Sequence, residues 1–163
     1  MTTALAMALL TGTRLGTFPV WVEFPQPAMA QDLPLDGDAG VLARTAYEYA
    51  SGPTLYRLDI ISFAPAYLEN VRDEEILDRA RDGAQTMTKF VVANHKYIRR
   101  DGFSGRQFDI QVERGPLIRH LILLRRPLLV HALVVTPTEN VDSPAVTRFF
   151  DSVRLQPPVP GAR

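Results

Sequence analysis

The feature that most constrains this chain is a series of four strand-like segments between residues 90 and 135, each ended by a short turn signal. The segments cover 90–100, 103–113, 116–124 and 127–135, and the turns between them are Asp101-Gly102, Arg114-Gly115 and Arg125-Arg126. Asp-Gly is typical of a two-residue β-hairpin loop, whereas arginine is a poor residue for a tight turn that needs positive φ. Because hairpins join antiparallel neighbours, this region is predicted to form an antiparallel meander.

The rest of the chain adds strands and two helices. Alternating side chains predict strands over 17–24, 42–50 and 55–63. Apolar residues at spacings of three and four predict an amphipathic helix over 73–88, with acidic residues in its first turn. Ser143-Pro144 is typical of a helix start and predicts a second helix over about 144–152. The predicted class is α+β, an antiparallel sheet with helices packed on its faces as an α/β/α sandwich.

We expect one domain over 17–155, preceded by an N-terminal segment, 1–16, and followed by a disordered proline-rich tail, 156–163. The segment contains an apolar run over 4–10, of the length found in export signals, but no basic residue precedes it. Ala28-Met29-Ala30 resembles a cleavage site but lies far beyond that run, and we interpret it as a coincidence. No apolar stretch approaches the ~20 residues of a spanning helix, so no transmembrane segment is predicted.

Charge and cysteine content exclude several classes of protein. The 163 residues carry 18 basic and 18 acidic side chains, and this balance predicts no general binding of nucleic acid. There is no cysteine, which excludes disulfides, thiolate metal sites and cysteine nucleophiles. Common nucleotide-binding and hydrolase motifs are also absent from the sequence.

The best candidate for chemistry is a row of polar residues across the four strands. If all three turns are two-residue loops, Asn94 faces Asp109, Asp109 faces His120, and His120 faces His131. Asp109, His120 and His131 would then bind a divalent metal such as zinc, or Asp109 would orient His120 as a general base. The alternative is that this is simply the wetter face of the sheet.

The same pairing predicts the two faces of the sheet. One face is expected to form the main core, with Arg106 and Arg119 at its margins; its members are Val91, Ala93, Phe108, Ile110, Val112, Leu121, Leu123, Val130, Ala132 and Val134. The face of the polar row also carries aliphatic side chains, including Ile122 and Leu129, and we expect a helix to cover it.

Four arginines lie at the first and third turns: Arg99, Arg100, Arg125 and Arg126. Alternate turns of a meander share one end of the sheet, so these side chains are candidates for contact with a partner or an anion. The alternative is that they are solvated turn charges.

Several segments resemble one group of proteins. They are Val22-Glu23-Phe24-Pro25, the helical stretch 77–84, the hairpin piece 102–108 and the ending 148–155. Over about 20–155 the chain resembles the PsbP/Mog1-like α/β/α sandwich proteins, especially small uncharacterised bacterial members. These motifs mark positions in a fold and match no partner-binding or catalytic motif.

The resemblance implies a function as well as a fold. The known roles in that superfamily are accessory: extrinsic subunits of photosystem II, a partner of a small GTPase, chaperones and cell-envelope proteins. We therefore expect a non-catalytic accessory or protein-binding module that docks onto a larger assembly, with no cofactor. The alternative is a metal- or small-ligand-binding domain that uses the Asp/His row. Many relatives are exported or membrane-associated, which favours such a location over the cytoplasm.

Overall fold

The computed structural model of the chain describes residues 12–35 and 40–155. The predicted tail, 156–163, and most of the predicted N-terminal segment lie outside these residues. The described residues form nine strands: β1 (Thr13–Arg14), β2 (Trp21–Val22), β3 (Met29–Asp32), β4 (Val41–Ser51), β5 (Thr54–Phe63), β6 (Val92–Arg100), β7 (Phe103–Gln111), β8 (Leu117–Arg125) and β9 (Leu128–Thr136). The helices are α1 (Pro65–Leu68), α2 (Asp73–Thr88) and α3 (Pro144–Ser152).

Seven strands form one antiparallel sheet in the order β3-β4-β5-β9-β8-β7-β6, and β1 pairs with β2 beside it. The predicted α+β class and the antiparallel sheet are confirmed. Two meanders, β3–β5 and β6–β9, meet where β5 pairs with β9. No helix in the described part of the chain is long and apolar enough to cross a membrane.

Both predicted helices are present with the predicted bounds. In α2, the residue before the first turn, Arg72, makes no capping bond, and Asp73, Glu74 and Glu75 instead place negative charge at the positive end of the helix dipole. In α3, the Ser143 hydroxyl accepts a hydrogen bond from the Val146 N–H. The two helices therefore begin by different physical means.

The two sides of the sheet pack against different helices. On the helix-2 face, Ile76 and Leu77 of α2 lie in a core cluster that also contains these buried residues: Phe63, Leu68, Phe108, Ile110, Ile122, Leu124 and Leu129. On the helix-3 face, α3 and the β1–β2 hairpin lie in a second cluster whose sheet members include Leu58, Ile60, Leu121, Leu123, Val130, Ala132 and Val134. The domain is thus a three-layer arrangement with a core on each side of the sheet.

The first predicted hairpin is correct and the next two are not. Arg100 pairs with Phe103 around Asp101-Gly102, as expected. The next turn is a five-residue loop between Gln111 and Leu117, closed by the Val112 N–H donating to the Pro116 carbonyl. The third is the two-residue loop Arg126-Pro127, between Arg125 and Leu128.

These loops change the predicted composition of the faces. The five-residue loop shifts the β7–β8 register by one residue, and such a shift moves side chains to the opposite side of the sheet. Phe108 and Ile110 therefore lie on the helix-2 face, not with Leu121 and Leu123. Val91 and Ala93, predicted for the core, are exposed. The third loop shifts the register by two, which leaves each side chain of β9 on its predicted side relative to β8.

Some elements were not predicted. The expected strand over 17–24 is reduced to β2, whose Trp21 also bridges to Arg154. Strand β3 begins at Met29, within the Ala28–Ala30 sequence, and pairs with β4. The one-turn helix α1 begins at Pro65, just after β5.

Candidate functional site

The predicted row of Asp109, His120 and His131 does not form, because its residues lie on both faces of the sheet. Asp109 pairs with Arg119, and His120 pairs with Phe108. His120 and His131 remain on one face, since the β8–β9 register moved by two residues. The prediction that Asp109 faces His120 is therefore wrong, and the cause is the five-residue loop after β7.

Asp109 is held by an arginine and an amide on the helix-3 face. It is 4% exposed. Arg119 donates two hydrogen bonds to its carboxylate, at 2.8 Å and 3.1 Å, and Asn94 donates a third at 3.1 Å. Asn94 reaches Asp109 from a bulge in β6, where its φ is 52°. The hydrogen bonds that Arg119 donates to Asp109 raise the pKa of Arg119, which also pairs with Asp142. Asp109 therefore forms an ion pair with Arg119 instead of contacting a histidine.

His120 and His131 bond to each other in the middle of the helix-2 face. Nδ1 of His120 and Nε2 of His131 are 2.8 Å apart, and the His120 ring also stacks on Phe108 with centroids 4.6 Å apart. One ring must donate and the other accept, so the accepting ring is neutral in this arrangement. Burial lowers the pKa of His120 to about 3 and that of His131 to about 4. Such weak bases are poor proton acceptors at neutral pH.

Next to His131 lies an aspartate that the sequence reasoning missed as a site residue. Asp59 pairs with His131 across β5 and β9 and is 2% exposed. Arg57 donates to its carboxylate at 2.6 Å and 3.2 Å, and Arg44 donates at 2.9 Å. Burial by itself raises the pKa of Asp59, but the bonds from Arg57 and Arg44 outweigh burial and leave the pKa below its ordinary value. The sequence does contain one indication of this site: Arg57 and Asp59 are two residues apart in an apolar strand, so both charges lie on the same face of the sheet.

Together these groups form an inner polar stripe across the helix-2 face. Its members are Glu48, Arg57, Asp59, Arg44, His131 and His120. Both carboxylates are in ion pairs, and both histidines are held neutral. Within residues 12–35 and 40–155, no three histidine, aspartate or glutamate side chains are grouped so that they could hold a metal ion. The stripe has the contacts of a structural network.

The four turn arginines are used in different ways. Arg100 donates to the carbonyls of Phe150 and Val153. Arg126 donates to the carbonyls of Leu68 and Val71 and pairs with Asp73. Arg125 lies over the Phe103 ring, 5.7 Å from its centroid. Arg99 is exposed, and it is the one of the four that makes no side-chain contact of these kinds to a described residue.

Strand β6 is an edge of the sheet, and its surroundings carry exposed apolar and basic side chains. Tyr97 is 70% exposed, Val91 78% and Met87, in the last turn of α2, 85%. The Tyr97 ring is held from one side by the Arg106 guanidinium, 4.3 Å from its centroid. We call the set Met87, Lys89, Val91, Lys96, Tyr97 and Arg99 the β6 edge surface.

The cations of this surface have no carboxylate partner. Lys89, Lys96 and Arg99 form no salt bridge with any described residue. The segment 89–100 contains four basic residues and no acidic one, although the whole chain is electrically balanced. Tyr97 and Arg99 lie on the helix-2 face of β6 and Lys96 on the helix-3 face, so this edge carries unpaired positive charge on both faces of the sheet.

Comparison with known proteins gives a fold. No protein-family model and no curated protein sequence matches the chain. The solution structure of cyanobacterial PsbP (CyanoP) from Synechocystis sp. PCC 6803 superposes with a TM-score of 0.56, at 12% identity, and covers 94% of this chain and 96% of that one. PA94 from Pseudomonas aeruginosa, a protein of unknown function, gives a TM-score of 0.42 at 15% identity over 71% of this chain and 87% of that one. The chain has the PsbP-like fold.

Proposed function

We propose that this protein is a non-catalytic accessory module that binds a partner protein through the β6 edge surface. The observation that carries the proposal is an edge strand with exposed apolar side chains and with cations that have no carboxylate partner among the described residues. The buried acids and bases, by contrast, are paired with one another. The PsbP-like fold supports the accessory role.

The backbone of β6 favours a partner segment in extended conformation. Among residues 12–35 and 40–155, no strand pairs with the outer side of β6, so its N–H and C=O groups are open to pairing with a partner segment. The bulge between Ala93 and Lys96 interrupts the ladder to β7, and regular pairing resumes from Lys96 to Arg100. We therefore place the partner strand along the second half of β6.

The charges define the chemistry of that partner. Lys89, Lys96 and Arg99 are exposed, so an acidic segment is complementary to them, and such complementarity speeds encounter and fixes orientation. Tyr97 supplies a large aromatic contact that Arg106 already holds in place, which lowers the entropy lost on binding. The partner is an acidic, extended protein segment with an apolar residue facing Tyr97.

The test is site-specific photo-cross-linking in native cells. A photoreactive residue is placed at position 97, and in a control protein at position 148. Arg148 lies on the outer side of α3, is exposed and has no ion pair with a described residue. We expect one major protein adduct from position 97, with an acidic cross-linked peptide, and none from position 148.

Charge reversal sharpens the test. In the Lys96→Glu, Arg99→Glu double variant we expect the adduct from position 97 to fall about tenfold or more, while Arg148→Glu leaves it unchanged. The proposal is wrong if position 97 gives no specific adduct, or if the double variant cross-links as well as the parent.

A further inference from the structure

A cavity of about 340 Å³ lies between α2 and the sheet, at the opposite end of the sheet from the β6 edge surface. Its walls come from β4, β5, β9, α1, α2 and the segment after β3. We propose that this cavity binds a small carboxylate with an apolar or aromatic body. This would be a binding function separate from the docking of a protein at β6.

The walls of the cavity are largely apolar. Ile61 and Phe63 of β5 and Leu129 of β9 form its floor, and Ile76 and Ala80 of α2 face them. Phe63 and Tyr67 stack with ring centroids 5.3 Å apart, so part of the wall is aromatic. Ligand sites in proteins are commonly apolar clefts of roughly 300–1,000 Å³ with a few polar groups that fix orientation. The cavity is at the small end of that range, which favours a one- or two-ring compound.

The polar groups of the cavity include two arginines. Arg44 gives one hydrogen bond to Asp59 from Nη2, and its Nε–H is buried without an acceptor among the described residues. The side chain is 35% exposed, so a ligand would reach the terminal nitrogens of the guanidinium rather than Nε. Asp59 also receives two bonds from Arg57, so Arg44 is not its only cation. Arg79 is 57% exposed at the mouth and donates to the Tyr67 hydroxyl, which fixes the direction of its guanidinium.

These cations set the class of ligand. A guanidinium with unused N–H donors binds a carboxylate through charge-assisted hydrogen bonds. Glu75 neutralises Arg79 in part, since the two form an ion pair at 2.5 Å, so Arg44 is the main anion-binding group. A neutral amide of the same shape would fill the apolar walls and offer Arg44 one carbonyl acceptor, but without the charge and the second oxygen of a carboxylate.

The experiment compares two probes that differ only in charge, 2-naphthoate and 2-naphthamide, by calorimetric titration of the full chain. We expect naphthoate to bind at least about tenfold more tightly, because a charge-assisted bond is worth roughly 1.5–3 kcal/mol and 1.4 kcal/mol is tenfold. Replacing Arg44 with methionine should remove that difference. Equal affinities for the two probes in the parent protein, or no naphthoate binding, would overturn the proposal.

Gly83 provides a test that does not disturb the ion pairs. It lies in α2 at the wall of the cavity, and a Cβ added there meets no atom within 4 Å. Both Gly83→Ala and Gly83→Leu improve helix propensity, so both variants should fold. The longer leucine side chain fills more of the open space beside this wall, and we expect it to weaken naphthoate binding about tenfold relative to alanine. Equal binding by the two variants would show that the ligand site is elsewhere.

Discussion

The two faces of the sheet bury comparable elements with different chemistry. The centre of the helix-3 face is apolar: Phe149 is fully buried and its ring meets those of Phe24, Tyr56 and Phe150. The centre of the helix-2 face contains the inner polar stripe beside the apolar contacts of α2. Both faces hold a nearly inaccessible aspartate, Asp59 on one and Asp109 on the other.

The difference between the faces indicates which side of the sheet makes stability depend on pH. Apolar packing depends little on pH, whereas a neutral histidine pair and a paired carboxylate each fix one protonation state. We therefore expect the helix-3 face to supply pH-independent stability, and the helix-2 face to determine how stability changes with pH.

The largest loss of stability is expected from a substitution in the core of the helix-3 face. Phe149→Ala should lower the free energy of unfolding by about 3–5 kcal/mol, because it removes a fully buried ring and leaves a cavity among three other rings. Urea denaturation measures this loss, and Phe149→Leu, which keeps most of the apolar contact, should cost much less. A loss below about 1 kcal/mol for the alanine variant would contradict the central place of Phe149 in this core.

The pH dependence should come from the histidine pair. The pKa values of His120 and His131 are lowered to about 3 and about 4, whereas in the unfolded chain both are about 6.5. Between these values the unfolded chain binds more protons, so stability present above pH 6.5 is lost as the pH falls. Each histidine contributes at most about 1.4 kcal/mol per pH unit, or about 4 kcal/mol for the pair between pH 6.5 and 5.

Urea denaturation at several pH values would measure this slope. In His131→Gln one titrating group is removed while a hydrogen-bonding partner for His120 remains, so the slope should fall to about half. A parent protein whose stability is constant from pH 6.5 to 5 would show that the histidine pair is not buried in solution as it is here.

The two buried aspartates allow a direct comparison of the faces. Asp59→Asn should cost about 3 kcal/mol, because Arg44 then has no carboxylate partner among the described residues and Arg57 keeps only Glu48. Asp109→Asn should cost about 1–2 kcal/mol, since Arg119 keeps its pair with Asp142 and an amide still offers an acceptor. The two free energies of unfolding should be measured near pH 7. A larger loss for Asp109→Asn than for Asp59→Asn would contradict the stabilising role that we assign to the inner polar stripe.

The smallest change in the free energy of unfolding is expected at the N-termini of the two helices. Ser143→Ala should cost about 1 kcal/mol, because the hydroxyl accepts the Val146 N–H at the beginning of α3. Arg72→Ala at the equivalent position of α2 should change stability by less than about 0.5 kcal/mol, since Arg72 makes no capping bond. Thermal denaturation of both variants decides this, and equal losses would mean that the α3 cap is not formed in solution.

Local patterns predicted most of the elements. The 3.6-residue period and the acidic first turn gave α2 its bounds, Ser143-Pro144 located α3, and Asp101-Gly102 located the β6–β7 hairpin. Each of these signals depends on contacts between residues close in sequence. Strand β3 and helix α1 were missed because neither has a strong periodic pattern of its own, and β3 is a strand only because β4 lies beside it.

The candidate site was predicted less well than the fold. Asp109 was separated from the histidines by a one-residue shift in the β7–β8 register, because the side chains of a strand alternate with a period of two. Arg99 is exposed, as expected of an arginine beside a turn, but Arg100 and Arg126 are held by carbonyls from α1, α3 and the segments that follow them. The sequence does not show those carbonyls as neighbours.

By itself the sequence determined the class of fold, the position of both main helices and the antiparallel order of the last four strands. Only the tertiary structure decided which polar residues meet, since that depends on register and on which strands become neighbours. Asp59 and His131 are far apart in the chain and lie together only because β5 pairs with β9. Local periodicity arises from backbone geometry over a few residues, whereas a site arises from contacts between distant segments.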